Sequence, residues 1–311
     1  MWLPLPFVRA ARPYIGHVDL SLAAEEAVLT KLAQWAAARG DVRAVLLIGS
    51  RAAEDSVADA LSDFDIIITV TDVETLTNDS SWQREIGKPL VGWGDEDVVE
   101  GFRTVFRGVV YDDGTKVDYW LWPVPLLRHI STLTPLPDEL DAGYRVLLDK
   151  DGTAAQWPAP TYRAYVPTKP TRAEYRALVE EFWWDTTYAA KSLWRGELVF
   201  AKSYMFEHEI RLEVLQLMLE WWIGVQTNWS VPTGRFGRGL RQLLPPEVWA
   251  DIEATYVGSD VDENWDALLR LIALFRQLAV GVADALGFDY PGYIDERVTA
   301  YVESVRAMPS S

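Results

Sequence analysis

The chain of 311 residues is long enough for two domains of ordinary size, and a content of 49% hydrophobic and 24% charged residues excludes a disordered protein. The absence of cysteine excludes disulfides and thiolate metal sites, and the presence of only three histidines disfavours a zinc site. The net charge of −17 opposes binding to the phosphate backbone of a nucleic acid and suits a cationic small molecule as partner.

The start of the chain lacks the pattern of a secretory signal. No basic residue precedes the short apolar stretch at the N-terminus, and no apolar run reaches the length needed to span a membrane. We therefore expect a cytoplasmic protein that has neither a membrane nor a nucleic acid as its partner.

The first elements have simple boundary signals. Ser21 can cap a helix that continues to Gly40. Further along, between residues 71 and 102, the run Gly94–Asp97 indicates a loop-rich segment, with one short strand predicted over Pro89–Trp93. These segments flank a stretch with a stronger pattern.

The stretch from Val45 to Val70, VLLIGSRAAEDSVADALSDFDIIITV, carries a functional pattern. It predicts a buried strand, a turn at Gly49–Ser50, a short helix, and a second strand with Asp63 and Asp65. Side chains two residues apart on a strand share a face, so the two carboxylates need a cation such as Mg²⁺ between them. A Gly-Ser turn can hold a phosphate, so the combination indicates phosphoryl or nucleotidyl transfer. The alternative is that both aspartates are edge-strand charges or turn formers.

A predicted hairpin supplies a third carboxylate. The segments RTVFRGVVY and TKVDYWLWPV flank Asp113-Gly114, a dipeptide that favours a tight two-residue turn. Asp118 then lies on a strand that can pair beside the one with Asp63 and Asp65. The alternative is an edge-strand charge next to Lys116.

A group of four prolines between Pro158 and Pro170 excludes a continuous helix and marks a domain boundary. We predict one domain over residues 1–158 and a helical domain over residues 159–311. Thr171 and Glu174 form a capping box that starts the first long helix. The helices are predicted over 171–195, 201–223, 245–257, 264–286 and 291–306, with stops at Gly196, Gly224 and Gly287.

The helix over 171–195 carries a second functional pattern. Glu180, Trp184, Tyr188, Lys191 and Arg195 fall within an arc of about 80° at 100° per residue. Acidic and aromatic groups occupy the first part of this stripe, and cations occupy the later part. One surface can thus hold a cationic ring system at one end and phosphates at the other. The alternative is a core face that ends in two solvated bases.

These motifs resemble those of the aminoglycoside 6-adenylyltransferase (streptomycin adenylyltransferase) family, within the polymerase-β-like nucleotidyltransferases. The segments that carry the resemblance are GSR, SDFDI, DGTKVD, EFWWDTTYAAKSLWRGELVFAK, MLEWWIG, TYVGSDVDENWDALL and LFRQLAVGVADALGFDYP. The resemblance implies an α+β fold. An N-terminal polymerase-β-like nucleotidyltransferase domain, with a mixed sheet and flanking helices, would precede a C-terminal all-α helical bundle.

The resemblance also implies a reaction and its cofactors. The reaction is Mg²⁺-dependent transfer of AMP from ATP to a hydroxyl of an aminoglycoside, with release of pyrophosphate and inactivation of the antibiotic. Streptomycin, modified at its 6-position, is the expected acceptor. Two Mg²⁺ ions are expected, because a pair of metals can serve both the attacking and the leaving oxygen.

The resemblance assigns roles to individual residues. Asp63 and Asp65 match the metal-binding pair, and Asp118 matches a third carboxylate that binds metal, acts as general base, or does both. The residues expected to bind the nucleotide are Gly49, Ser50, Arg51, Lys191, Arg195 and Lys202.

The acceptor side is defined by chemistry. Guanidinium groups need carboxylates for charge and aromatic faces for cation–π contact. The predicted acceptor-binding residues are Glu180, Glu181, Trp184 and Asp185. Two alternatives stay open: the same chemistry with another small-molecule or protein hydroxyl as acceptor, and a nucleotide-binding regulatory module without catalysis. The presence of all three carboxylates together with Ser50 speaks against the second.

Overall fold

The computed structural model describes residues 22–52, 58–59 and 61–309. The chain forms two compact units that divide between Ala164 and Tyr165, here called the sheet unit and the helical unit. The strands are β1 (Val42–Ile48), β2 (Phe64–Val70), β3 (Pro89–Val99), β4 (Phe102–Tyr111), β5 (Lys116–Pro123) and β6 (Arg145–Asp149). The helices of the sheet unit are α1 (Leu22–Ala38), α2 (Glu74–Thr77), α3 (Gln83–Ile86), α4 (Val124–Ile130) and α5 (Asp138–Asp141).

The six strands form one mixed sheet in the order β3-β4-β5-β2-β1-β6. Only β2 and β5 pair in parallel, and every other neighbouring pair is antiparallel. The sequences of β1 and β2, VRAVLLI and FDIIITV, are apolar on both faces because both faces are covered, as expected for central strands. This confirms the two apolar strands of the Val45–Val70 stretch. The Ser21 cap and most of the predicted short helix lie outside the described residues.

Alternation along the strands separates two cores. Val45, Leu47, Ile66 and Ile68 pack with α1 on one face. On the other face, Leu46 and Ile67 pack with α4, together with the two tryptophans of β5, Trp120 and Trp122. Side chains of odd-numbered residues on β2, and of even-numbered residues on β5, therefore project from the α4 face.

The outer ribbon of the sheet differs from the sequence-based expectation in two ways. The run Gly94–Asp97 is not a loop, because it lies within β3, a long edge strand whose side chains are almost all exposed. Its charges reflect the solvated edge, where charged side chains discourage pairing with other chains. The β4–β5 hairpin forms as predicted, but its connection closes with Tyr111 N–H donating to Thr115 O at 2.8 Å, so the loop is longer than two residues.

The helical unit is built from long helices around one core. Its α-helices are α6 (Arg172–Trp194), α7 (Gln216–Gln226), α8 (Leu240–Leu243), α9 (Pro246–Glu253), α10 (Val261–Leu286) and α11 (Gly292–Arg306). A π-helix, Phe200–Leu215, directly precedes α7. The core includes Phe182 of α6 stacked on Phe275 of α10, with ring centroids 3.7 Å apart.

The boundary signals of the helical unit are mostly confirmed. The capping box of Thr171 and Glu174 is present, with both reciprocal hydrogen bonds. Gly196 and Gly287 follow α6 and α10 with φ angles of 70° and 67°, the left-handed conformation that ends helices. The predicted stop at Gly224 is wrong, because α7 continues through it to Gln226.

The α+β fold class is confirmed, with the mixed sheet in the first unit and the helices alone in the second. Within the described part of the chain, none of the helices combines the length and the apolar character needed to cross a bilayer.

Candidate active site

The turn after β1 brings backbone and carboxylate together. Gly49 has a φ of 71° and begins a 3₁₀ turn, Gly49–Arg51. A Cβ at position 49 would overlap the carboxylate of Asp65, so only glycine fits both the dihedral angle and the space. Ser50 is exposed at the same turn. The predicted phosphate-binding turn thus lies directly against one of the predicted metal ligands.

Strand register brings the three predicted carboxylates to the α4 face of the sheet. Asp65 of β2 pairs directly with Asp118 of β5, and neighbouring strands lie about 4.8 Å apart. Asp63 immediately precedes β2. The Lys116 ammonium is hydrogen-bonded to Asp63 and also donates to Asp118 Oδ2 at 2.9 Å, so both carboxylates lie within reach of one cation. The prediction that a hairpin strand would lie beside β2 is confirmed.

Asp118 retains an unsatisfied oxygen. Its Oδ1 is buried and has no hydrogen-bond partner, although the side chain as a whole is 16% exposed. Gly108 lies opposite on β4, and a Cβ there would be only 3.1 Å from this oxygen. A buried acceptor without a partner costs about 1–3 kcal/mol, which a bound ligand can offset by supplying a donor or a cation.

Lys116 partly neutralises this group of carboxylates. Burial opposes the charge of its ammonium, but the hydrogen bonds to Asp63 and Asp118 outweigh burial and raise the pKa of Lys116. In the described part of the chain, no group of three or more acidic or histidine side chains is arranged around a single metal position. The donor chemistry nevertheless fits Mg²⁺, which prefers carboxylate oxygens, and the orphaned Asp118 Oδ1 is an oxygen of that kind.

Arg51 has a different place from the one predicted. Its guanidinium turns towards the segment before β2, where it donates to Ser62 O at 2.7 Å and to Asp63 O at 3.2 Å. It also pairs with Glu25 of α1 at 2.7 Å and lies over the ring of Phe64. The side chain therefore braces the backbone that carries Asp63, a positioning role that the motif alone did not reveal.

The basic end of α6 forms a small pocket in the helical unit. Lys191 Nζ lies 3.9 Å from the ring centroid of Tyr188, and Arg195 follows one turn later. The pocket has a volume of about 410 Å³ and is lined by Tyr188, Lys191, Ser192, Arg195, Glu197 and Phe200. The stripe predicted for this helix thus brings two cations to one concave surface.

Lys202 is placed elsewhere in the helical unit. Its ammonium donates to Val257 O at 2.7 Å and to Asn264 Oδ1 at 3.1 Å, which ties the π-helix to the start of α10. It does not line the pocket of Lys191 and Arg195. A contact with phosphate would require it to leave both acceptors.

The predicted acceptor residues on α6 fall into two environments. Glu180 is ion-paired with Arg176, so the charge of Glu180 is already balanced. Arg176 also donates to the hydroxyl of Tyr293. Trp184 is 63% exposed. Asp185 is only 7% exposed, and its Oδ2 has no hydrogen-bond partner. Burial, followed by the nearby charges of Glu209 and Glu181, raises the pKa of Asp185 to about 6.

The π-helix contributes groups that sequence reasoning missed. Glu209 lies near enough to Asp185 to raise its pKa, and the same carboxylate raises the pKa of Tyr204. Phe200, Tyr204 and His208 stack one above the next. The only sequence signal was a run of aromatic residues four apart, and the π-helical hydrogen bonding that sets their direction is not visible in a 3.6-residue pattern.

Comparison with known proteins adds independent findings. A family model described as streptomycin adenylyltransferase matches residues 22–305. An aminoglycoside 6-adenylyltransferase of Campylobacter jejuni is 33% identical over 265 residues, covering 84% of this chain and 88% of that protein. One of Bacillus subtilis is 31% identical over 269 residues, covering 85% and 91%. A crystal structure of an aminoglycoside 6-adenyltransferase from Bacillus subtilis has 25% identity and a TM-score of 0.44, covering 91% of this chain and 99% of that one.

Proposed function

Because the chain belongs to the streptomycin adenylyltransferase family, a family of nucleotidyltransferases, we propose that it transfers AMP from ATP to a hydroxyl of an aminoglycoside and releases pyrophosphate. We propose streptomycin, modified at its 6-position, as the acceptor. The observation that carries the proposal is the direct pairing of Asp65 with Asp118 beside the Gly49–Ser50 turn. It brings two carboxylates and the Gly49–Ser50 turn together at one end of the central strands β1, β2 and β5.

Asp118 is the proposed general base. Its Oδ2 accepts from Lys116, which leaves the unpartnered Oδ1 as the oxygen to take the proton of the acceptor hydroxyl. The hydroxyl oxygen then forms the bond to the α-phosphorus while the bond to pyrophosphate breaks. A positioned base of this kind contributes about 10²–10⁴-fold to the rate.

Asp63, Asp65 and Asp118 are the residues that would hold Mg²⁺. When bound, the metal would neutralise phosphate charge and favour departure of pyrophosphate. Lys116 already neutralises part of the same carboxylate charge, so a metal held there would share Asp63 and Asp118 with its ammonium. Arg51 keeps the backbone of Asp63 in place through the carbonyls of Ser62 and Asp63.

Each unit has its own groups that we propose for phosphate recognition. In the sheet unit, the N–H groups of the Gly49–Arg51 turn and the Ser50 hydroxyl are suited to phosphate oxygens. In the helical unit, Lys191 and Arg195 of the basic pocket are suited to the same charge. Lys202 remains a weaker proposal, because its ammonium already has two acceptors.

The test is release of pyrophosphate from ATP and Mg²⁺ across a panel of aminoglycosides that includes streptomycin. We expect release with streptomycin, and a product whose mass is that of streptomycin plus one adenylyl group. Absence of release with every aminoglycoside, from a protein that unfolds cooperatively, would refute the proposal. Release with a different aminoglycoside alone would correct the acceptor and keep the chemistry.

A further inference from the structure

The carboxylates between α6 and the π-helix lack a cation of their own. Asp185 and Glu181 lie on α6, Glu209 lies on the π-helix, and the charges of both glutamates act on Asp185. Within the described part of the chain, no Lys or Arg forms an ion pair with any of the three, and Glu209 has only His208 Nδ1, 3.3 Å away, as a basic neighbour. Three adjacent acidic groups without a cation repel one another, which destabilises the folded state.

Comparison with the other buried acids of the same chain shows how unusual Asp185 is. Among the described residues, the buried acidic side chains are Asp141, Asp185 and Asp295. Asp295 accepts from Arg276 Nε and Nη2, both at 2.6 Å, and from the Tyr290 hydroxyl at 2.9 Å. Asp141 accepts from the backbone and the hydroxyl of Thr161. Of these three, Asp185 is the one that keeps a buried carboxylate oxygen, Oδ2, without a partner.

Exposed aromatic rings border these carboxylates. Phe200 and Tyr204 stack with centroids 5.3 Å apart, and they remain 42% and 50% exposed. The Glu209 carboxylate raises the pKa of the Tyr204 hydroxyl, so this ring lies beside the acidic group. A flat cation that stacks on an aromatic face and donates two parallel hydrogen bonds to a carboxylate is a guanidinium group.

We propose that Asp185, Glu181 and Glu209, with the ring of Tyr204, form a subsite for a guanidinium group of the acceptor, and that Asp185 is its anchoring carboxylate. This inference rests on the proposed function, since it specifies how the acceptor of that reaction is held. The guanidinium supplies the donor that Asp185 Oδ2 lacks, and its positive charge relieves the repulsion among the three carboxylates. Glu180 is not part of the subsite, because Arg176 already balances its charge.

The experiment measures binding without ATP and turnover with ATP. The parent protein is compared with Asp185→Asn, Glu209→Gln and a control, Glu213→Gln, which removes an exposed carboxylate one turn further along the π-helix. Two acceptors are used: streptomycin, which carries guanidinium groups, and an aminoglycoside whose only cations are amines. Calorimetry gives the affinity, and pyrophosphate release gives KM and kcat separately.

We expect Asp185→Asn to weaken the binding of streptomycin and raise its KM by about ten- to hundredfold, the range for loss of a hydrogen bond to a charged group. Glu209→Gln should have a smaller effect in the same direction, and Glu213→Gln should match the parent. The value of kcat should change little, and the amine-only acceptor should lose less affinity than streptomycin.

The failures of the two proposals are distinguishable. If the parent turns over streptomycin and Asp185→Asn does so with unchanged KM and affinity, the subsite is refuted while the proposed function stands. Equal losses for the amine-only acceptor and streptomycin would refute the guanidinium assignment. If the parent neither binds nor adenylylates any aminoglycoside, both proposals are overturned.

Discussion

The carboxylates beside Lys116 and the carboxylates beside the π-helix differ in whether the fold supplies a neutralising cation. In the sheet unit, Asp63 and Asp118 share the ammonium of Lys116, which belongs to the same strand as Asp118. In the helical unit, no Lys or Arg of the described residues forms an ion pair with Asp185, Glu181 or Glu209. The first group is neutralised within the fold, and under the proposed function a metal would compete with this lysine. The second is held at a cost to stability.

This difference indicates which interactions are structural and which await a ligand. A carboxylate whose oxygens all have protein partners contributes to the fold, whereas a buried carboxylate with an unpartnered oxygen lowers stability and is typical of a binding site. Four substitutions test the comparison, in order of the expected size of their effects.

The largest effect is expected at the sheet unit from Asp65→Asn. The amide keeps the shape of the side chain but removes one of the two charges paired across β2 and β5. We expect kcat to fall by about 10³-fold or more, because electrostatic stabilisation carries much of the catalysis in such reactions. Pyrophosphate release measures the loss, and circular dichroism should show an unchanged fold. Asp113→Asn, in the exposed turn of the same hairpin, serves as control and should retain activity.

The second effect tests the turn that faces Asp65. Gly49→Ala places a Cβ on a residue with a φ of 71° and against the Asp65 carboxylate. We expect about 1–3 kcal/mol less stability and a drop in kcat of about 100-fold, because the carboxylate must move. Gly152 also has a positive φ but open space around it, so Gly152→Ala separates backbone strain from the clash. Equal activity losses in the two variants would contradict the importance of Asp65.

The position of these groups was predictable to different degrees. The hairpin and the alternation of side chains predicted a strand with Asp118 beside the strand with Asp63 and Asp65, whereas the register that pairs Asp65 with Asp118 is seen only in the structure. Lys116 was seen as a neighbour of Asp118, but its bond to Asp63 depends on the rotamer of a long side chain. Arg51 matched a phosphate-binding motif, yet its guanidinium is drawn to the carbonyls before β2 and to Glu25, which no local pattern encodes.

In the helical unit, the periodicity of α6 predicted the stripe of functional side chains but not the π-helix that packs beside it. Glu180 and Asp185 appear equivalent in the sequence, as acidic residues on one helix. The fold separates them, because Arg176 reaches Glu180 while Asp185 is enclosed against the π-helix. The contribution of Glu209 and Tyr204 follows from i→i+5 hydrogen bonding, which rotates side chains away from the directions that an α-helical pattern predicts.

A third prediction concerns the cation of the sheet unit. Lys116→Met removes the ammonium and leaves Asp63 and Asp118 without it, so the metal-free protein should lose about 1–2 kcal/mol of stability. Added Mg²⁺ should restore more stability to this variant than to the parent. Urea unfolding with and without Mg²⁺ measures both quantities. If Mg²⁺ stabilises the parent and the variant equally, Lys116 does not occupy the place of a metal.

The smallest effect is expected from Asp185→Asn, measured as stability at several pH values. The pKa of Asp185 is raised to about 6 in the folded protein, from an ordinary value near 3.8, because burial and its acidic neighbours disfavour the charge. Folding is therefore favoured by protonation, and this contribution is present at low pH and is lost as pH rises through 6. Asparagine does not titrate, so the free energy of unfolding of the variant should rise relative to that of the parent by about 1–2 kcal/mol between pH 4 and pH 8.

Asp295 provides a control with the opposite sign. Burial disfavours its charge, but hydrogen bonds from Arg276, Tyr290 and Thr299 outweigh burial and lower the pKa of Asp295. Its stabilisation is therefore present above the ordinary pKa and is lost as pH falls, so Asp295→Asn should cost more stability at pH 7 than at pH 3. Urea unfolding of both variants across this range tests the contrast directly. If the stability cost of Asp295→Asn rises with pH while that of Asp185→Asn falls, the charge of Asp185 does not stabilise the fold. If both costs change with pH in the same direction, Asp185 is an ordinary structural acid.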